Sequence, residues 1–250
     1  MTKKFALLAP SFLPSMGGTE RLMGMYCDSI SDDKIYVISR KTADSKSFDK
    51  KQKYKVYRQP LNFEVLFDKN RFLLGLFDML PNFFFSIFKL HWLKIDLIMC
   101  KSLKEAPVGY LISKITGKPY IIFAYAKEIT MFNKRETVLK KMMIHLLSHS
   151  QKIICVCDYI RKEIIDIGID EEKLVVNTVG VNVEKYYPMK TSLYLKKRYN
   201  VGNEKIILTM SRLEERKGFD KILEGMPFLL SKIPNLKYVI AGKGPFEYRL

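Results

Sequence analysis

Four cysteines occur in 250 residues, and no two of them make a C-x-x-C pair. A zinc ribbon or a dithiol redox site needs such a pair, so neither is expected. Cys27, Cys100, Cys155 and Cys157 lie in or beside apolar runs, which predicts reduced core residues in a cytosolic protein. Long apolar runs are missing too. The run Phe5–Ala9 is stopped by Pro10, short of the ~7–15 residues of a signal h-region, so no export is implied. The most apolar stretch, residues 61–94, is divided by Asp78 and Pro81, and neither half reaches the ~18 residues of a spanning helix. His91, His145 and His149 are too scattered for a metal site; the last two fall at i and i+4, with no carboxylate or cysteine nearby, and read as a plain helix face. There is no Ser-His-Asp or paired-carboxylate arrangement, no repeat and no low-complexity segment. Helix-turn-helix, zinc-finger and aromatic RNA-binding signatures are likewise missing, so nucleic acid is not an expected partner.

Positive charge is abundant: 43 Lys and Arg against 26 Asp and Glu give a net +17, spread along the chain with no basic tail. Such a field favours an anionic partner, a phosphate-bearing ligand or acidic lipid, although a Lys-rich solvated surface accounts for it as well. With 48% apolar and 28% charged residues the chain is globular in composition. Its length accommodates one large domain or one and a half.

Short apolar runs rich in β-branched and aromatic residues recur at 5–9, 35–38, 54–57, 95–99, 119–123, 152–157 and 173–177. Segments of helical period lie between many of them, at 18–30, 103–116, 136–149 and 158–167. Strands that are apolar throughout suit burial on both faces by crossover helices, hence a parallel α/β sheet. Residues 186–204 break the pattern and read as a linker. Alternation resumes with a strand at 206–210, a helix at 219–233 and a strand at 238–241, and the last residues read as the start of a helix. The expected organisation is a Rossmann-like domain over 1–185, the linker 186–204, and the opening of a second Rossmann-like domain over 205–250.

Two loops carry chemistry. Ser15-Met16-Gly17-Gly18-Thr19-Glu20 follows the first strand and opens the first helix. Its glycines permit close backbone approach, and free N–H groups at a helix start attract an anion. The spacing is not G-x-G-x-x-G, so a dehydrogenase cofactor loop is disfavoured. Ser211-Arg212-Leu213-Glu214-Glu215-Arg216-Lys217-Gly218 follows the first strand of the second unit. Arg212 can fork onto phosphate oxygens and Lys217 can add a point charge, which fits a nucleotide diphosphate. The alternative is a basic loop in which Arg216 pairs with Glu214 or Glu215. Gly242-Lys243-Gly244-Pro245 ends a later strand with a permissive turn.

Taken in order, Gly17-Gly18-Thr19-Glu20, the stretch from Val156-Cys157-Asp158-Tyr159-Ile160 to Val179-Gly180-Val181-Asn182, Ser211-Arg212-Leu213 with Lys217-Gly218, and Ala241-Gly242-Lys243-Gly244-Pro245 resemble glycosyltransferase family 4, the group 1 glycosyltransferases. The resemblance implies a GT-B fold, two Rossmann-like domains with a nucleotide-sugar donor in the cleft between them and the acceptor held mainly by the first. It implies transfer with retention and no metal ion or other cofactor. Gly17 and Gly18 would lie against the donor diphosphate, Arg212 and Lys217 would neutralise it as it departs, and Gly242 and Gly244 would belong to the turn near the nucleoside.

The sequence departs from the family pattern in three places. Phe123-Ala124-Tyr125-Ala126-Lys127-Glu128 stands where the family has a His-Gly-x-Glu-like motif, so Tyr125 takes the position of a histidine directed at the reaction centre. A phenol with an ordinary pKa of ~10 is a different group from imidazole near pH 7. Val179-Gly180-Val181-Asn182 replaces Asn-Gly-Val-Asp, and Ser211 replaces a glycine. The family's Glu-x7-Glu motif would fall beyond residue 250. The expectation is therefore a truncated chain with little or no transferase activity, and the competing reading is a non-catalytic remnant that binds nucleotide or membrane. Residues 61–94 place Phe63, Leu66, Phe67, Leu73, Leu74, Phe77 and Leu80 at helical spacing, followed by an aromatic run ending near Trp92. Two destinations are open for that stretch: covering the first sheet beside the acceptor, or lying in an anionic membrane surface. A cytoplasmic protein, peripheral on the inner face of the cytoplasmic membrane, with a cell-envelope or lipid-linked glycan acceptor, is the resulting expectation.

Overall fold

The structure is a computed structural model that describes residues 2–15, 17–30, 34–59, 83–90, 93–133, 138–184, 186–188 and 193–250. They form two compact units, Met1–Gly180 and Val181–Leu250. In the first unit the apolar runs become the strands β1 (Lys4–Leu8), β2 (Lys34–Arg40), β3 (Lys55–Gln59), β4 (Leu97–Cys100), β5 (Tyr120–Ala124), β6 (Lys152–Cys155) and β7 (Leu174–Val176). The helices are α1 (Gly18–Ser29), α2 (Ser45–Asp49), α3 (83–90), α4 (Ala106–Thr116), α5 (Ala126–Asn133), α6 (Val138–His149) and α7 (Asp158–Asp166). Every strand pair is parallel, in the order β3-β2-β1-β4-β5-β6-β7.

Burial explains why these runs carry no polar alternation. Ala6, Leu8, Ile98, Cys100, Ile122, Ala124, Ile153 and Cys155 face one core, whereas Leu7, Ala9, Val37, Met99 and Phe123 face the other. Successive residues of a strand point to opposite faces, so a sheet covered on both sides needs apolar residues at every position. Each fully buried Leu, Ile or Phe contributes roughly 1.5–3 kcal/mol relative to exposure. Cys27, Cys100 and Cys155 are buried and all four thiols are free.

The sheet order runs outward in both directions from the β1–β4 pair, through β2 and β3 on one side and β5 to β7 on the other. That reversal opens a crevice beyond the carboxyl ends of β1 and β4, where doubly wound folds hold ligands.

The second unit contains α8 (Leu193–Arg198), β8 (Lys205–Met210), α9 (Phe219–Lys232) and β9 (Leu236–Ala241), with β8 and β9 parallel from Lys205↔Leu236 to Met210↔Ala241. α8 lies inside the 186–204 stretch that breaks the alternation in sequence. The last residues form a 3-10 turn at Glu247–Arg249 rather than the opening of an α-helix. A small core of Leu213, Phe219 and Phe246, with Ile240 against it, anchors this unit. Ile206, Leu208 and Met210, which alternate along β8, are exposed.

Among the described residues no helix is long and apolar enough to cross a membrane. Within α3, Phe83 and Phe85 pack on the core and Leu90 is buried, while Phe84 and Phe88 are exposed. Phe63 to Pro81, His91 and Trp92 lie outside the described residues.

Candidate active site

The crevice of the first unit is built from three strand ends. After β1 the chain runs through Ser11 to Gly17, whose extended backbone caps α1, and the first intrahelical bond is Arg21 N–H to the Gly17 carbonyl at 3.1 Å. The N–H groups of Gly18, Thr19 and Glu20 therefore have no intrahelical acceptor, as expected at a helix start. A Cβ at Gly17 would collide with the Glu20 carboxylate, whereas one at Gly18 would meet nothing within 4 Å. Of the two glycines, Gly18 is the one with open space beside it.

β4 ends in Lys101 and Ser102, both buried. The Lys101 ammonium donates to Glu20 Oε1 at 2.5 Å and to the Ser11 carbonyl at 2.7 Å. Ser102 Oγ donates to Glu105 Oε2 at 2.6 Å, and the Leu103 N–H donates to Glu128 Oε2 at 3.0 Å. β5 ends in Tyr125, whose hydroxyl is buried with no hydrogen-bond partner. Burial raises the Tyr125 phenol well above its ordinary value, and the charges of Glu128, Glu105 and Glu20 add to the shift. The residue at the family's histidine position thus keeps its proton throughout the physiological range, with an unused oxygen that feels the field of Glu128, Glu105 and Glu20.

Two of those carboxyl groups are driven in opposite directions. Burial pushes Glu20 up, but hydrogen bonds from Lys101 and Ser11 outweigh it and hold the group below its ordinary value. Burial pushes Glu105 up to about 7; the Ser102 hydroxyl and Lys101 oppose this and the charge of Glu128 reinforces it. Because the folded state holds a proton that an unfolded Glu105 releases near 4.5, its contribution is full at acid pH and is lost as pH rises toward 7. Urea midpoints of wild type and Glu105→Gln between pH 5 and 8 should therefore diverge, wild type losing up to about 3 kcal/mol relative to the variant. Parallel pH profiles for the two proteins would contradict this account of the crevice.

The second unit presents a separate loop. From β8 the chain arches through Ser211–Glu214 into a 3-10 turn, Glu215–Lys217, and then Gly218, whose φ of 69° suits glycine, starts α9. The loop after β9 clamps the arch: Ser211 N–H donates to the Ala241 carbonyl at 3.1 Å, Leu213 N–H to Lys243 at 3.0 Å, and Phe246 N–H to Leu213 at 3.0 Å. A Cβ at Gly242 would collide with the Ser211 carbonyl oxygen, and one at Gly244 with that of Leu213. Both glycines thus have a packing role within their own unit that a turn signal in the sequence does not reveal. The Arg212 side chain is 75% exposed and pairs with Glu214 at 3.1 Å, and Arg216 pairs with the same carboxylate at 2.5 Å. Lys217 is exposed. The pairing expected for a merely basic loop is therefore present, and it occupies only part of the five-donor guanidinium of Arg212.

Among the described residues no group of three or more His, Cys, Asp or Glu is arranged to hold a metal ion. The His145 and His149 rings lie tilted against each other, and both meet the Tyr110 ring edge-on. Sequence reasoning singled out Gly17, Gly18 and Tyr125 in the first unit and Arg212, Lys217, Gly242 and Gly244 in the second. It missed Lys101, Ser102 and Glu105, and assigned no role to Glu20 or Glu128. The available signal was positional: Lys101-Ser102 directly follows an apolar strand, at the edge where this fold binds ligands.

A seven-stranded parallel sheet with its crevice at the β1–β4 reversal, and a second βαβ unit with a basic arch, define the α/β class of the GT-B glycosyltransferases. Residues 16–185 match Glycosyltransferase Family 4 and residues 194–250 match Glycosyl transferases group 1. The chain belongs to glycosyltransferase family 4. Over 68 residues, 27% of the chain, it is 29% identical to a GDP-mannose-dependent alpha-(1-6)-phosphatidylinositol monomannoside mannosyltransferase of Mycolicibacterium smegmatis, of which the match covers 18%. The crystal structure of HepE from Anabaena in complex with UDP and glucose superposes with a TM-score of 0.72 at 18% identity, covering 100% of this chain and 63% of that one. UDP-N-acetylglucosamine 2-epimerase from Rickettsia bellii also superposes, with a TM-score of 0.57 at 11% identity, covering 100% of this chain and 64% of that one. The chain spans less than two thirds of the length of these solved structures and under one fifth of the mannosyltransferase. An epimerase among the neighbours shows that the fold alone does not assign a transfer reaction.

Proposed function

We propose that this protein transfers a glycosyl group from a nucleotide-diphosphate sugar, with retention and without a metal ion, to a glycan or lipid-linked acceptor of the cell envelope. The observation that carries the reading is the arch after β8, a loop fixed by three backbone hydrogen bonds that presents exposed Arg212 and Lys217 in a member of this family. A fixed pair of cations stabilises the charge that develops on a departing diphosphate more in the transition state than in the ground state. The likeness to HepE, captured with UDP and glucose, supports a nucleotide-sugar donor. In the first unit, Gly18 contributes the open helix start and Tyr125 the unused hydroxyl. Exposed Phe84 and Phe88 beside Lys89 on α3 support attachment to the inner face of an anionic membrane.

One observation favours a second reading, a non-catalytic nucleotide-binding protein: the family's histidine is Tyr125, and its hydroxyl is buried. Thermal denaturation with UDP, GDP and their sugars separates the readings, since a ligand at a hundredfold excess over Kd adds about 2.7 kcal/mol to stability. A raised Tm is the expected result of the donor reading; turnover of a nucleotide sugar, unchanged by a chelator, supports transfer and overturns the expectation of little or no activity drawn from the sequence. A raised Tm with no turnover favours the second reading, and no shift with any nucleotide overturns both.

A further inference from the structure

We propose that the Lys101–Glu20 ion pair is a positioning latch, which ties the first turn of α1 to the carboxyl end of β4 and holds the Gly17–Gly18 turn for the anionic part of the donor. This rests on the donor reading above.

Lysine is among the side chains least often buried, yet Lys101 is 8% exposed and its partner Glu20 12%. Both carboxylate oxygens of Glu20 are held. Oε1 accepts from Lys101 Nζ at 2.5 Å and from Ser11 Oγ at 2.8 Å, and Oε2 accepts from Thr19 Oγ1 at 3.0 Å. Lys101 also donates to the Ser11 carbonyl at 2.7 Å. The loop after β1, the start of α1 nine residues on and the end of β4, 81 residues from Glu20, thereby meet on one carboxylate.

Stability is a poor reason for this arrangement. A buried ion pair is often no more stabilising than apolar residues of similar volume, because desolvation offsets the attraction. What the pair supplies is place and neutrality. The Glu20 carboxylate fills the space where a Cβ at Gly17 would stand, so a side chain there would push Glu20 away from Lys101. The open side at Gly18 is left for a ligand. A lone carboxylate beside the N–H groups of a helix start would repel a diphosphate, and Lys101 cancels that charge.

The test compares Lys101→Met, Glu20→Gln and the double variant by titration calorimetry with UDP and GDP, by Tm, and by hydrogen exchange of the Arg21, Leu22 and Met23 amides. Lys101→Met is expected to weaken binding of the preferred nucleotide about tenfold and to lower Tm. The double variant, with both charges gone, is expected to recover most of the Tm. Its affinity stays at least about fivefold below wild type, and its first-turn amides exchange faster while those of Met25 to Ser29 do not change. Recovery of Tm and affinity together would reduce the pair to a structural feature and overturn the proposal. Unchanged first-turn exchange in every variant would overturn it as well. If wild type binds neither UDP nor GDP, the donor reading falls, while the exchange measurement still judges whether the pair holds the turn.

Discussion

Replacing Arg212 by alanine is expected to lower kcat/KM for the nucleotide sugar by about 100- to 1000-fold, the range found when one preorganised donor to a developing charge is removed. The leaving group of the proposed reaction is a nucleotide diphosphate, whose charge grows as the glycosidic bond breaks. Arg212 offers a planar fork that can keep its contact with Glu214 through one nitrogen and reach phosphate oxygens with the others. Lysine at 212 retains the charge without the fork and should recover only part of the activity. Stability should hardly respond, because the side chain is 75% exposed and surface pairs contribute about 0–1 kcal/mol. Steady-state kinetics and Tm on the same preparations check both halves. An Arg212→Ala protein with wild-type kcat/KM would remove the arch from the proposed chemistry.

Gly242→Ala is expected to damage the same site from behind. The added Cβ would collide with the Ser211 carbonyl oxygen and crowd Leu213 Cδ2 at 3.3 Å. These are backbone and core atoms with no flexible end to swing aside. Relief requires the arch to move, at the expense of the Ser211 to Ala241 and Leu213 to Lys243 hydrogen bonds. Overpacking of this kind costs about 1–3 kcal/mol and each lost bond about 1 kcal/mol more. Among the described residues of this unit, the small core beneath buries only Leu213, Phe219 and Phe246. Hydrogen exchange along β8 and β9 should rise steeply, and nucleotide binding should be lost with it. Gly18→Ala is the natural control: its Cβ meets nothing within 4 Å, so folding should be normal and any change should appear in ligand binding alone. A Gly242→Ala protein with native exchange rates would show that the loop after β9 yields more easily than its contacts imply.

The central strands of the first unit were legible because their runs Phe5–Leu8, Leu97–Cys100, Tyr120–Ala124 and Ile153–Cys155 are apolar at successive positions, a pattern that burial on both faces demands, whereas the edge strand β3 carries Lys55, Arg58 and Gln59. The order of those strands was not, since nothing local in Lys4–Leu8 says that its neighbours are β2 and β4. Lys101 was missed for a related reason. In sequence it is one lysine among many in a chain of net charge +17, and its partner Glu20 lies 81 residues away. Glu105 reads as an ordinary helix-start acid until its burial beside Ser102 is seen. Gly242 and Gly244 stood out as a turn, but their close packing on Ser211 and Leu213 depends on a strand pairing that spacing alone does not disclose. Arg212 and Lys217 were singled out because their loop follows a strand directly, and position on a strand end is something sequence does carry.

The placement of β1 beside β4 has a consequence in time. The Lys4 N–H bonds Asp96, 92 residues downstream, so the central strand acquires its second neighbour only after β4 has been made. At ~5–20 residues per second of synthesis, roughly 5–20 s separate the two events. During that interval β1 can pair with β2, which follows it closely, but its other edge, Phe5-Ala6-Leu7-Leu8, stays unpaired. The strand that later forms the floor of the crevice is thus the one whose nascent edge most needs protection from other chains.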